Sequence, residues 1–194
     1  MSQVIDGRTA RAQRTRQAVV EALLSLLQEG DLRPTAPRIA ERAGVSLRSV
    51  FQHFADREAL LLAVAERQEQ ELRRMTRRIS NDGPLPWRIE TFVGQRCRVL
   101  EAVASVWRAS LLHEPSAPGV RSIRERLMDL ARRELVAVFE PELDARKGSD
   151  RRELLDALAV ATESPAWEQL RNYEGLSAKR AQKVMARTVT ALLA

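Results

Sequence analysis

One cysteine, Cys97, stands in a chain of 194 residues, so no intrachain disulfide can form. Aromatic residues make up 4% of the chain, and the longest apolar run, Ala59 to Ala65, is far short of the roughly 20 residues that span a bilayer. The first residues lack the apolar core of a signal peptide, so no membrane partner and a reducing cytoplasm are expected. The two histidines, His53 and His113, do not sit at ligand spacing with Cys97, and no Gly-rich phosphate loop occurs. No metal, no cofactor and no catalytic residue is therefore expected, and the chain does not read as an enzyme. Strand alternation is missing as well, which leaves an all-α fold.

Lysine is nearly missing: only Lys147, Lys179 and Lys183 are present, and arginine supplies the other cations behind a net charge of +6. The excess is denser at the amino end, where residues 1–54 hold eight arginines against five acids. That balance suits a polyanionic partner. Arg8, Arg11, Arg14 and Arg16 cluster in or just before the first helix, either as a solvated basic tail or as a tail that touches phosphate or the minor groove.

Helical periodicity then organises the chain. Val19, Ala22, Leu23, Leu26 and Leu27 form one apolar stripe on a helix from about Ala10 to Gln28, which Gly30 stops. Pro34 and Thr35 start the next, and Ile39, Ala40 and Ala43 are its apolar side. Gly44 supplies the left-handed residue that ends it, Val45 re-enters the core, and Ser46 caps a third helix.

At roughly 100° per residue, burying Val50 and Phe54 on that third helix turns Arg48 and Gln52 directly outward. Ser49 and Phe51 flank them, and His53 and Leu47 lie nearer the buried edge. Arginine can grip guanine O6 and N7, and glutamine adenine N6 and N7, so this face suits a major groove. The whole reads as a helix-turn-helix.

The segment Ile39 to Leu60 resembles the DNA-binding domain of the TetR family of bacterial transcriptional regulators. The residues that carry the likeness are Thr35, Ile39, Ala40, Ala43, Gly44, Val45, Ser46, Ser49, Phe51, His53, Phe54, Glu58 and Leu60. Two positions depart from the pattern: Phe51 replaces the usual tyrosine and loses its hydroxyl, and Arg48 replaces a frequent glycine. The resemblance implies phosphate contacts from Thr35, His53 and Arg57. With Ser46, Arg48, Ser49, Phe51 and Gln52 these complete the expected DNA-binding set.

The remainder reads as a helical body. Residues 1–55 are expected to form the DNA-binding head, and residues 56–194 a linking helix plus an effector-binding and dimerisation domain. Asp56 can cap a helix running to about Ile79, followed by long helices over Trp87–His113 and Val120–Phe139, with a loop at Glu114–Gly119. A polar Asp144–Asp150 linker, a helix over Arg151–Thr162, a short segment around Trp167 and a last helix over Ser177–Ala194 complete it. Apolar stripes on the last two long helices either finish the monomer core or pair with a second copy. The resemblance favours the homodimer, and with it a palindromic or near-palindromic double-stranded operator. It also implies a pocket for a small apolar effector, with Phe92, Val103, Trp107, Met128, Phe139 and Trp167 as candidate walls. The first functional reading is a ligand-responsive repressor. The alternatives are a helical protein-interaction module and a TetR-like regulator without a small-molecule ligand.

Overall fold

Each helix boundary in the amino-terminal part follows from a local hydrogen-bond requirement. The computed structural model describes residues 7–113 and 118–194. Helix α1, Gly7–Gln28, carries the apolar stripe from Val19 to Leu27. Thr35 opens α2, Ala36–Ala43, by accepting the Arg38 N–H at 3.4 Å, one of the amides that a helix start leaves without a partner. Gly44 closes α2 at φ 65°, and the Val45 N–H reaches back to the Ala40 carbonyl at 3.0 Å. Ser46 then caps α3, Leu47–His53, and Asp56 caps α4, Arg57–Met75, by accepting the Ala59 N–H at 2.8 Å.

After α4 come α5, Leu85–His113, and α6, Pro118–Val138. They are followed by α7, Glu140–Asp144, α8, Gly148–Thr162, and α9, Ser164–Glu168. A π turn, Gln169–Tyr173, leads to α10, Ala178–Leu193, which Ser177 caps. The described residues contain no strand, and the fold is all-α. Four residues of the expected Glu114–Gly119 loop lie outside the described residues; Gly119 itself belongs to α6.

Helix α4 is shorter than its sequence pattern implies. Its apolar positions continue to Ile79, yet the helix stops at Met75 because Gln95 captures the backbone beyond it. The Gln95 amide accepts the Arg77 N–H at 2.8 Å and donates to the Arg77 carbonyl at 3.0 Å. Ile79 keeps its core position from the non-helical segment after α4.

The chain divides into two compact units: residues up to Gln70 with Ser105–Ile123, and Glu71–Ala104 with Arg124–Ala194. In the first, Val19, Leu23, Leu26 and Leu27 of α1 pack with Ile39, Val50, Phe54 and Val64, and the end of α5 and start of α6 add Ala109 and Val120. Glu58 on α4 accepts the Gly119 N–H at 3.3 Å, near the start of α6. In the second, Phe92 meets Phe139 edge-on at 5.3 Å, and Leu135, Leu143, Leu158, Trp167 and Met185 close around them. Cys97 is buried there with its thiol 3.9 Å from the Met185 sulfur, and burial pushes its pKa up to about 12. It behaves as a small apolar side chain.

Candidate nucleic-acid interface

The outer face of α3 is built by what lies beneath it. Val50 and Phe54 are each 3% exposed and anchor the helix, so Arg48 and Gln52 stand in solvent. Neither makes a hydrogen bond or ion pair among the described residues, and their donors and acceptors remain available to a ligand. Phe51 is 58% exposed and Leu47 40%, an i, i+4 apolar pair along one edge of the same face. Exposed apolar side chains of this size on a seven-residue helix are costly unless something covers them.

Ser46 and Ser49 have a second engagement that spacing alone does not reveal. The Ser46 hydroxyl accepts the Ser49 N–H at 3.1 Å, and the two hydroxyls pair at 2.9 Å. Thr35 is likewise occupied as the α2 cap. His53 is half-buried at the end of α3, and Arg57 is exposed at the start of α4. A cavity of about 110 Å³ is lined by Pro34, Ala36, Phe51, Asp56 and Arg57 among others, so the starts of α2 and α4 lie beside Phe51.

The scaffold behind this face is held by ion pairs. Arg42 on α2 grips Glu29 bidentately at 2.6 and 2.7 Å and also donates to the Ser25 hydroxyl at 2.9 Å. Hydrogen bonding from Arg42 keeps the Glu29 carboxyl below the usual range. Arg38 pairs with Asp31 at 3.1 Å, and the Arg16 guanidinium lies 5.1 Å over the Phe54 ring. Arg16, Arg38 and Arg42 thus brace the fold from exposed positions, and Arg11, Arg14 and Arg48 are exposed as well. The clamp by Arg42 was invisible in the sequence because its partner lies 13 residues away, in the turn after α1.

Residues 19–64, from the buried face of α1 to the middle of α4, match the family described as bacterial regulatory proteins, tetR family. This segment is similar to the DNA-binding domain of TetR-family regulators. The match supports a role in DNA-binding regulation. A transcriptional regulator from Rhodococcus sp. Rha1 has a similar fold, with a TM-score of 0.73 at 15% identity, covering 92% of this chain and 95% of that one. A TetR transcriptional regulator from Rhodococcus sp. RHA1 gives 0.53 at 21%, with coverages of 93% and 96%. The multidrug binding protein EbrR, complexed with imidazole, gives 0.61 at 16%, with coverages of 89% and 93%. At these identities the likeness concerns the fold. No curated protein matches the chain in sequence.

The candidate effector residues fall in different environments. Phe92, Phe139 and Trp167 are 0%, 0% and 1% exposed and fill the core of the second unit, where the Trp167 indole N–H donates to Glu101 at 2.7 Å. Val103 is half-buried and Met128 is 45% exposed in the same unit, and Trp107 is half-buried in the first. Arg96 runs beside Phe92, its guanidinium 5.1 Å over the ring, and donates to Glu134 at 2.7 Å. No group of three His, Cys, Asp or Glu side chains among the described residues could hold a metal ion. No helix among them is long and apolar enough to cross a membrane.

Proposed function

We propose that this chain is a TetR-family regulator, a homodimeric repressor that occupies a palindromic or near-palindromic operator in the cytoplasm until a small apolar effector bound in its helical body releases it. The observation that carries the reading is the outer face of α3, where Arg48 and Gln52 are exposed and unpaired above a fully buried Val50 and Phe54. Arg48 and Gln52 take base edges, and Phe51, without a hydroxyl, meets sugar or a thymine methyl. Ser46 and Ser49 set the helix start and add short polar contacts. Thr35, His53 and Arg57 hold phosphates.

Release requires a path from body to head, and two helices offer it. Both α5 and α6 contribute their ends to the core of the first unit and continue along the chain into the second. A shift of α6 along its axis would pull on Gly119 and, through Glu58, on α4. That EbrR is a multidrug binding protein supports a small-molecule effector on this fold.

Gel shift on genomic fragments at two salt concentrations tests the reading. Selective retention of particular fragments at the higher salt is expected, because phosphate contacts weaken with salt on every sequence whereas base contacts discriminate. Uniform loss of all fragments would leave a basic interaction module instead. A thermal-shift screen then separates effector-responsive from ligand-free regulation, since an effector at 100 times its Kd stabilises by about 2.7 kcal/mol.

A further inference from the structure

Away from the head, a groove of about 530 Å³ runs between the first half of α5 and α10 in the second unit. Leu85, Ile89 and Val93 from α5 and Ala186 from α10 supply its apolar lining. Ile89 and Val93 are 5% and 0% exposed, so the groove reaches down to the core. The volume lies within the roughly 300–1,000 Å³ typical of small-molecule sites.

Its charge is asymmetric. Lys179 and Lys183 stand one turn apart on α10 and line the groove, exposed and without any hydrogen bond or ion pair among the described residues. They are two of only three lysines in a chain whose other cations are arginines. Lysine offers a compact, mobile point charge suited to a carboxylate that arrives and leaves, in contrast to the rigid fork that arginine uses in the fold's internal pairs. The first residue of α5, Leu85, also lines the groove, which brings in the positive end of a 29-residue helix. Glu90 is the one carboxylate among the lining residues.

We propose that this groove binds an amphipathic organic anion: a carboxylate held by Lys179 and Lys183, with an aliphatic or aromatic body laid on Leu85, Ile89, Val93 and Ala186. The claim concerns binding at this face and stands independently of DNA recognition by α3.

Titration calorimetry on the full chain tests it, with decanoate below its micelle concentration as the probe and decanol and decyltrimethylammonium as uncharged and cationic controls. Saturable binding of decanoate at one site per chain is expected, at least tenfold tighter than either control. In the surface variant Lys179→Gln/Lys183→Gln decanoate should bind at least tenfold more weakly, with the unliganded melting temperature unchanged. Equal binding of decanol or of the cationic amphiphile would overturn the proposal, as would wild-type decanoate affinity in the double variant. Sedimentation of the two proteins at equal concentration reads the competing occupant. Unchanged mass on removal of both lysine charges is expected, whereas a change in mass would assign the groove to a second copy of the chain and refute the organic anion.

Discussion

An arginine that meets a base edge and an arginine that meets a phosphate leave different marks on binding, and the first unit holds a candidate of each kind. Arg48 projects from the middle of the outer face of α3, and Arg57 from the start of α4. Arg48→Ala is expected to cost about 1–3 kcal/mol on the preferred operator and to relax preference at one base pair. Arg57→Ala should weaken all sequences alike and lower the slope of log K against log salt by about 1. Binding measured across a set of operator variants and salt concentrations distinguishes them. If Arg48→Ala lowers every sequence equally, Arg48 is not a base reader. The outward direction of Arg48 was legible from its neighbours, because burying Val50 and Phe54 leaves a short helix only one way to face. The pairing of the Ser46 and Ser49 hydroxyls was not, since it depends on side-chain rotamers rather than on spacing.

Elements start and stop in this protein for local reasons in the head and for distant ones in the body. Thr35, Gly44, Ser46 and Asp56 each act within four residues of themselves, so the head's helix starts and turn could be read directly. The end of α4 could not, because Gln95, 18 residues further on, takes the backbone of Arg77. The link from α5 to α7 is of the same kind. Arg88, 4% exposed, donates to both Glu142 carboxylate oxygens at 2.7 and 2.5 Å and to the Val138 and Gly83 carbonyls at 2.9 and 2.8 Å. Hydrogen bonding from Arg88 holds the Glu142 carboxyl below its ordinary 4.5. A carboxyl whose folded value is lowered contributes stability that is fully present above the unfolded value and is lost as pH falls through the folded one. Glu142→Gln should therefore be less stable by about 3 kcal/mol at neutral pH, since it leaves a buried guanidinium without its counter-charge. The difference from wild type should shrink below pH 4.5, as read by denaturant midpoints across the acid range. A constant difference at all pH values would show that the ion pair does not titrate with folding.

For the whole molecule, the prediction concerns symmetry. The proposed two-fold pair through α8 and α10 would present two copies of α3 to one duplex, and successive major grooves on one side lie roughly 34–36 Å apart. The protein should sediment at twice its 21.9 kDa and protect an operator with two inverted half-sites at that spacing. Inserting half a helical turn between the half-sites should abolish tight binding. Retained affinity would mean that the heads act singly. The exposed Val160 and Val184, at 73% and 38%, lie on α8 and α10, and their substitution by glutamate should leave a monomer if the proposed pair forms through these helices.

The sequence by itself determined the all-α class and the helix-turn-helix with its caps and outward face, because each depends on periodicity and on contacts a few residues apart, and its residue identities carry the likeness to the TetR family. Tertiary structure alone decided where α4 ends, that the ends of α5 and α6 join the core of the head's unit, and that Phe92, Phe139 and Trp167 are packed core. It also opened the lysine-lined groove beside α10. These outcomes depend on which helices meet, and an apolar stripe declares only that it will be buried, not what will bury it.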